Sequence, residues 1–219
     1  KKFGKIFLNL ELLKIGKKVW LSTSNIKLGD ISKINRGSLP PKPNEKSLIK
    51  DDFYNIKWFD NQIFRYLEEG NSDVYVNYDS LRENKNIEVF KGKRIFARQL
   101  MSRQFRMNVS IVDYDCAFKK NIYVIYDLNS SFLYEYILSI LNSKLFSFVQ
   151  VNFNTSLQRD DFPAFSLRDF KNFNIPFSSI VNQKIFTEKV NKILEFNSDI
   201  QHLSSKFISA LKRNFEELE

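Results

Sequence analysis

The sequence predicts a mixed α/β (α+β) fold: a small twisted, mostly antiparallel sheet with a helix packed on it, followed by a long C-terminal helix. Three observations carry this prediction. Short runs rich in β-branched and aromatic residues recur between residues 74 and 126, apolar residues then fall at spacings of three and four from Leu133 to Val149, and the same spacing returns from Ile185 to Leu211. With 219 residues, 43% apolar and 27% charged, and with only 6 Gly and 5 Pro, the composition is that of a folded chain rather than a disordered, collagen-like or disulfide-stapled one.

From Phe3 to Leu21 the apolar spacing is mixed, which predicts a short helix or irregular lead-in and then an extended piece at Val19-Trp20. Ile26 to Ile34 reads as a brief amphipathic turn ending at Asn35-Arg36-Gly37, after which Pro40-Pro41-Lys42-Pro43 forces a rigid, basic loop. Four strands follow, at Val74–Tyr78, Arg94–Arg98, Ser110–Tyr114 and Asn121–Tyr126. In the second of them, alternation places Ile95 and Ala97 on one face and Arg94, Phe96 and Arg98 on the other. The change of period predicts one helix from Ser131 to about Val151, with Asn129-Ser130-Ser131 as N-cap candidates. Ser166 caps a helical turn over residues 166–170, and Ile175-Pro176 ends it. The last helix runs from about Asn182 to Phe215, on the order of 45 to 50 Å, so part of it projects beyond a compact domain. The expected division is a lead-in over 1–24, a main domain over 25–180 and a long helix over 181–219.

The net charge of +9 is unevenly spread. Residues 1–50 carry 12 basic and 3 acidic side chains, 51–88 carry 4 and 9, 89–144 carry 9 and 4, and 145–219 carry 9 and 9. Two basic blocks around an acidic one suggest a polyanion on one face, because clustered Lys and Arg release counterions from a phosphate backbone; solvated surface charge is the alternative. No apolar run approaches the roughly 18 residues of a spanning helix, so no membrane is expected. Cys116 is the single cysteine, which excludes an intramolecular disulfide and a multi-Cys zinc site and points to a reducing, cytoplasmic setting. The chain does not begin with Met and is expected to be a piece of something longer.

Catalytic patterns are missing. His202 has no Cys or His partner at metal spacing, and there is no Gly-rich phosphate loop, nucleophile elbow or dinucleotide fingerprint. Asp79 with Glu83-Asn84-Lys85 has the order of a metal-dependent nuclease, where carboxylates hold Mg²⁺, but also the composition of a turn. The stronger constellation is Lys91 to Arg106, with six cations, two Gln and no carboxylate. Arg grips guanine bidentately and Gln does the same to adenine, so Lys93, Arg94, Arg98, Gln99, Arg103, Gln104 and Arg106 are expected to contact DNA. An exposed strand edge guarded by charge is the competing reading.

Several segments together resemble a known family. Ile26-Lys27-Leu28-Gly29-Asp30-Ile31, Lys93 to Arg98 and Asn121 to Ile125 are similar to the opening of a target-recognition domain. Tyr136-Ile137-Leu138-Ser139-Ile140-Leu141-Asn142-Ser143-Lys144-Leu145-Phe146, then Phe162-Pro163, Ile175-Pro176 and Gln183 to Leu194, continue it in order. The whole resembles the TaqI-like C-terminal specificity domain of restriction-modification DNA methyltransferases, which is related to type I specificity subunits. The resemblance implies a non-catalytic module that recognises double-stranded DNA for a type IIG or type I-like adenine methyltransferase. The family's Asn-Pro-Pro-Tyr motif is absent here, so S-adenosylmethionine and Mg²⁺ are expected only in the parent's catalytic domains, with no cofactor or metal in this chain. Asn35, Arg36 and Lys42 fall in the early loop that tends to face DNA, and Arg159 in the loop before Phe162-Pro163. The C-terminal helix is expected to dock on a methyltransferase domain or subunit, or to form a homodimer. The alternatives are a protein-interaction module acting through that helix and a stand-alone nuclease using Asp79, Glu83 and Lys85.

Overall fold

The structure is a computed structural model that describes residues 10–22, 24–60, 62–69, 73–83, 86–154, 157 and 164–216. Its centre is a four-stranded antiparallel sheet in the order β2 (Lys33–Arg36), β11 (Ile122–Tyr126), β8 (Lys93–Arg98), β9 (Val109–Asp113). A second, mixed sheet runs β10 (Ala117–Phe118), β4 (Ile56–Phe59), β7 (Tyr75–Val76), β3 (Lys46–Ser47), with β10 and β4 parallel. Two small pairs complete the strands: β1 (Asn25–Lys27) with β12 (Asn174–Pro176), and the hairpin of β5 (Gln62–Phe64) with β6 (Leu67–Glu69).

Alternation along the central strands divides their side chains between two cores, which is why residues 94–97 and 122–125 are all buried. Ile95, Ala97, Tyr123 and Ile125 face a helical layer and meet Ile137 and Leu141 of α3 (Tyr134–Leu141) and Phe170 of α5 (Leu167–Lys171). Phe96, Ile122 and Val124 face the other way, onto Trp58, Phe59, Phe90 and Phe118, where the Phe96 and Phe118 rings lie 4.4 Å apart. The expected face of Arg94, Phe96 and Arg98 is therefore not a solvent face. A second sheet covers it; of its strands β7 falls within the expected 74–78 strand, while β3, β4 and β10, two to four residues long, are too short to show in the sequence.

The helix expected from Ser131 to Val151 is two helices. α3 ends at Asn142, whose side-chain amide donates to Val109 O at 2.9 Å, and Ser143 caps α4 (Lys144–Phe153) by accepting Phe146 N–H at 3.0 Å. Asn129 accepts Ser131 N–H in a local turn, but α3 begins later and has no side-chain cap of its own. The Val19-Trp20 piece is helical, as the end of α1 (Leu10–Trp20), which packs on α4. The expected turn over 26–34 resolves into β1, the single-turn α2 (Leu28–Ile31) and β2. Ser166 caps α5 in a reciprocal box with Asp169, as expected.

The long helix α6 (Ile180–Glu216) spans 37 residues, roughly 55 Å at 1.5 Å per residue. Its root is held by Gln183, which is fully buried, and by Val190 in the first core. Farther on, Asn197 and Gln201 donate to Tyr66 O and Glu68 O of the β5–β6 hairpin, each at 3.0 Å. Past Gln201 residues 202–213 are all exposed, with Leu203 and Phe207 each 64% accessible, so this half projects. No described helix is long and apolar enough to cross a membrane.

Candidate nucleic-acid interface

The two ends of the central sheet differ in charge. At one end the cations are neutralised: Lys33 pairs with Asp127 at 2.8 Å, and Lys93 with Glu135 of α3 at 2.5 Å. The Asp127 carboxylate, through its hydrogen bond and charge, holds the Lys33 ammonium above its ordinary value. At the other end three strands deliver cations side by side. Arg36 ends β2 opposite Tyr123, Arg98 ends β8 opposite Ile122, and the Lys119–Ile122 turn lies between them. That turn is fastened on both flanks, since Gly37 N–H donates to Ile122 O at 3.2 Å and Gln99 N–H to Asn121 O at 3.0 Å. With strands about 4.8 Å apart, the backbones of Arg36, Lys120-Asn121 and Arg98-Gln99 form a row spanning roughly 10 Å, with Arg36 on the face of Tyr123 and Arg98 on the face of Ile122. Lys119 pairs with Asp60, but among the described residues Arg36, Arg98, Arg103 and Lys120 have no carboxylate partner.

Gly37 makes this row possible. A Cβ there would lie 2.1 Å from Phe118 O and 2.4 Å from Lys119 O, so only glycine lets β2 leave the sheet against the turn. Beyond Gln99 the chain forms a stapled loop. Ser102 N–H donates to Arg106 O at 2.8 Å, Phe105 N–H to Ser102 O at 2.9 Å and Arg106 N–H to Ser102 Oγ at 3.1 Å, with Phe105 at φ 55°. Arg103 and Gln104 are exposed at its tip, on a backbone already ordered before any ligand arrives.

The expected contact residues thus separate. Arg36, Arg98, Gln99, Arg103 and Gln104 lie at this end, and Lys42 is exposed in the loop that leaves it. Arg94 corrects the expectation: it is fully buried, enclosed by residues 89–92 and 114–116. Its guanidinium donates to Val89 O and Gly92 O at 2.9 Å and to Tyr114 O at 2.5 Å, and reaches Cys116 O at 3.4 Å and Sγ at 3.6 Å. Burial holds it below its ordinary pKa and pushes the Cys116 thiol up to about 12. Lys93, expected beside Arg98, stands at the opposite end of the same strand, five residues or roughly 17 Å away. Asn35 is half-buried, and its amide donates to Tyr126 Oη at 2.8 Å. Arg106 is turned from the tip, donating to Asn142 O at 2.6 Å. Arg159 lies outside the described residues.

Lys119, Lys120 and Asn121 were not singled out in the sequence, because a Lys-Lys-Asn turn looks like any polar connection until the register sets it between two cationic strand ends. The nuclease-like trio does not assemble among the described residues: Asp79 sits in a one-turn helix, Glu83 is an exposed turn residue at φ 62°, and Lys85 lies outside them. Among the described residues no group of three or more His, Cys, Asp or Glu could hold a metal ion.

The model of the TaqI-like C-terminal specificity domain matches residues 54–175. A protein of Methanocaldococcus jannaschii, named as a candidate type II restriction enzyme and methyltransferase, is 27% identical over 129 residues, 58% of this chain and 11% of its own length. Among solved structures, the type IIG restriction endonuclease BpuSI superposes with a TM-score of 0.54 at 15% identity, over 83% of this chain and 28% of that one. A chain from a type I restriction-modification system gives a TM-score of 0.51 at 12% identity, over 97% of this chain and 53% of that one. These identities establish a shared fold, and the chain spans about half or less of each protein it matches.

Proposed function

Because the chain belongs to the TaqI-like C-terminal specificity domain family, we propose that it selects the double-stranded DNA sequence on which a restriction-modification methyltransferase acts. The observation that carries the reading is the asymmetry of the central sheet, with ion-paired lysines at one end and, at the other, Arg36, Lys120 and Arg98, which have no carboxylate partner among the described residues, beside the Arg103-Gln104 tip. Lys42, Lys120 and Arg36 supply phosphate contacts, while Arg98, Gln99, Arg103 and Gln104 have the donors that read base edges in the major groove. This chain works without cofactor or metal, and S-adenosylmethionine and Mg²⁺ belong to the parent's catalytic domains. The projecting half of α6, apolar and exposed, supports docking on a methyltransferase domain or on a second copy of this chain.

The test is selection from a randomised duplex pool at two salt concentrations, with sequencing of the retained DNA. Enrichment of a short motif, with affinity falling steeply as salt rises, is the expected result. Binding that ignores sequence even in the presence of the methyltransferase partner would overturn the reading.

A further inference from the structure

A second feature lies on the helical side of the molecule, where a groove of about 600 Å³ opens between α3, the start of α4, α6 and the β5–β6 turn. Its apolar surface comes from Tyr136 and Ile140 of α3, Leu145 of α4, and Phe186 and Ile193 of α6. Four cations stand around it, Arg65, Arg106, Lys144 and Lys189, and no Asp or Glu is among its described lining residues. In a chain with 25 carboxylates, such segregation leaves a strongly electropositive site on an apolar bed.

The cations are also strained against one another. Burial, and then the charge of Arg65, hold the Arg106 guanidinium below its ordinary pKa. Among the described residues Arg106 Nε is buried without a hydrogen-bond partner. A buried guanidinium whose charge is opposed by a second one is costly, and a carboxylate or similar anion at the groove offsets that repulsion. The first turn of α4 lines the same groove, and the partial positive charge of a helix start favours the same kind of guest.

We infer that this groove takes an amphipathic helix of a partner protein whose apolar face is flanked by carboxylates. The apolar bed excludes a nucleic acid as the matching guest, because phosphates would meet the cations and leave the bed uncovered. A helix laid along α6 covers it and continues onto the exposed Phe196, Ile200 and Leu203, while its flanking Asp or Glu reach Arg65 and Arg106 in the paired geometry a guanidinium favours. The inference stands apart from the DNA-binding reading and uses different residues, since Arg106 lies away from the exposed tip.

The experiment titrates the full chain with two synthetic helices that share one leucine stripe and carry either Glu or Lys on its flanks. The Glu-flanked helix is expected to bind about tenfold tighter or more, with the preference shrinking as salt rises. Arg65→Glu combined with Lys189→Glu changes two exposed side chains, leaves the melting temperature in place and is expected to reverse the preference. Phe186→Asp is expected to abolish binding of both helices. Equal binding of the two helices, no binding of either, or a preference unmoved by the double charge reversal overturns the inference. Loss of duplex DNA affinity in that double variant, with no helix preference in the parent chain, would instead assign these cations to DNA. A chain that prefers the Glu-flanked helix but binds no DNA keeps this inference and overturns only the DNA reading.

Discussion

The side-chain carbonyl of Gln183, at the root of α6, accepts the backbone N–H of Leu133 at 2.9 Å, at the point where α3 begins. Its amide donates to Ser131 O and Ser178 O, each at 2.8 Å, so one fully buried side chain satisfies three backbone groups on two segments. α3 has no side-chain cap of its own, and the long helix supplies the missing partner.

Gln183→Leu preserves the volume and strands those three groups. We expect a loss of about 2–4 kcal/mol in urea unfolding, and faster amide exchange over residues 131–141 than elsewhere in the chain. Gln183→Glu sets a buried carboxylate against the Ser131 and Ser178 carbonyl oxygens and should cost at least as much as Gln183→Leu at neutral pH. Equal stability of all three chains would remove the staple from the account.

Arg94→Met replaces a buried guanidinium with an apolar chain of similar length and leaves the carbonyls of Val89, Gly92 and Tyr114 unmet. A destabilisation of about 3 kcal/mol or more is expected. Sequence preference of the folded fraction should be unchanged, because Arg94 does not reach the surface. A relaxed preference at one base position would return Arg94 to the reading surface.

Arg98→Ala and Arg103→Ala are expected to relax specificity at one base position each, by about 1–3 kcal/mol of discrimination. Lys42→Ala and Lys120→Ala should weaken binding to all sequences alike and lower the salt slope by about one unit each. Selection experiments repeated on each variant separate the two outcomes. Uniform loss in all four variants would leave the end of the sheet as a phosphate surface only.

Gly37→Ala should cost stability and DNA affinity together, because the added Cβ must displace the Phe118–Lys119 carbonyls from β2. Melting and duplex binding measured on the same preparation check it, with a stability loss of about 1–3 kcal/mol expected for such overpacking. A chain that loses stability but binds as before would show that the Lys119–Ile122 turn does not hold the reading surface.

Burial pushes the Cys116 thiol from its ordinary 9.0 up to about 12, so the folded chain holds the proton that the unfolded chain releases at lower pH. The contribution to stability is fully present below about pH 9 and is lost as pH rises from there toward about 12. Denaturation followed across that window should show a decline that is shallower in Cys116→Ala, the remainder coming from Tyr66, Tyr114, Tyr123 and Tyr136, whose hydroxyls burial also pushes up. At pH 8 a thiol reagent should label Cys116 only as fast as the chain unfolds.

The class of fold, the long helix and the 93–98 strand were legible in the sequence because each repeats one period over enough residues to be seen. The break at Asn142-Ser143 was not, because Leu141, Leu145, Phe146 and Val149 keep helical spacing across two helices in line. Arg94 was misplaced for a related reason. Alternation correctly sorted it with Phe96 and Arg98, but it cannot say whether a second sheet lies on that face. Of the expected contact residues beyond the strand's C-terminal end, Arg103 and Gln104 remain on the surface, while Arg106 is turned onto Asn142 O. Lys93, Arg94 and Asn35 are engaged because ion pairs and hydrogen bonds with Glu135, Tyr114 and Tyr126 come from residues 20 to 91 positions away in the chain.

Among the described residues the edge strand β2 bonds in the central sheet only to β11, and β1 bonds only to β12. On a ribosome, residues 25–36 therefore emerge long before the segments that will hold them. At roughly 5–20 residues per second, several seconds pass before Tyr126 follows Arg36, and β12 comes later still. Through that interval the growing chain carries an unpaired strand and half of its first core open to solvent. Whatever shields nascent chains in the cell meets this segment at residues 25–36, and a ribosome stalled before Pro176 would leave it unclosed.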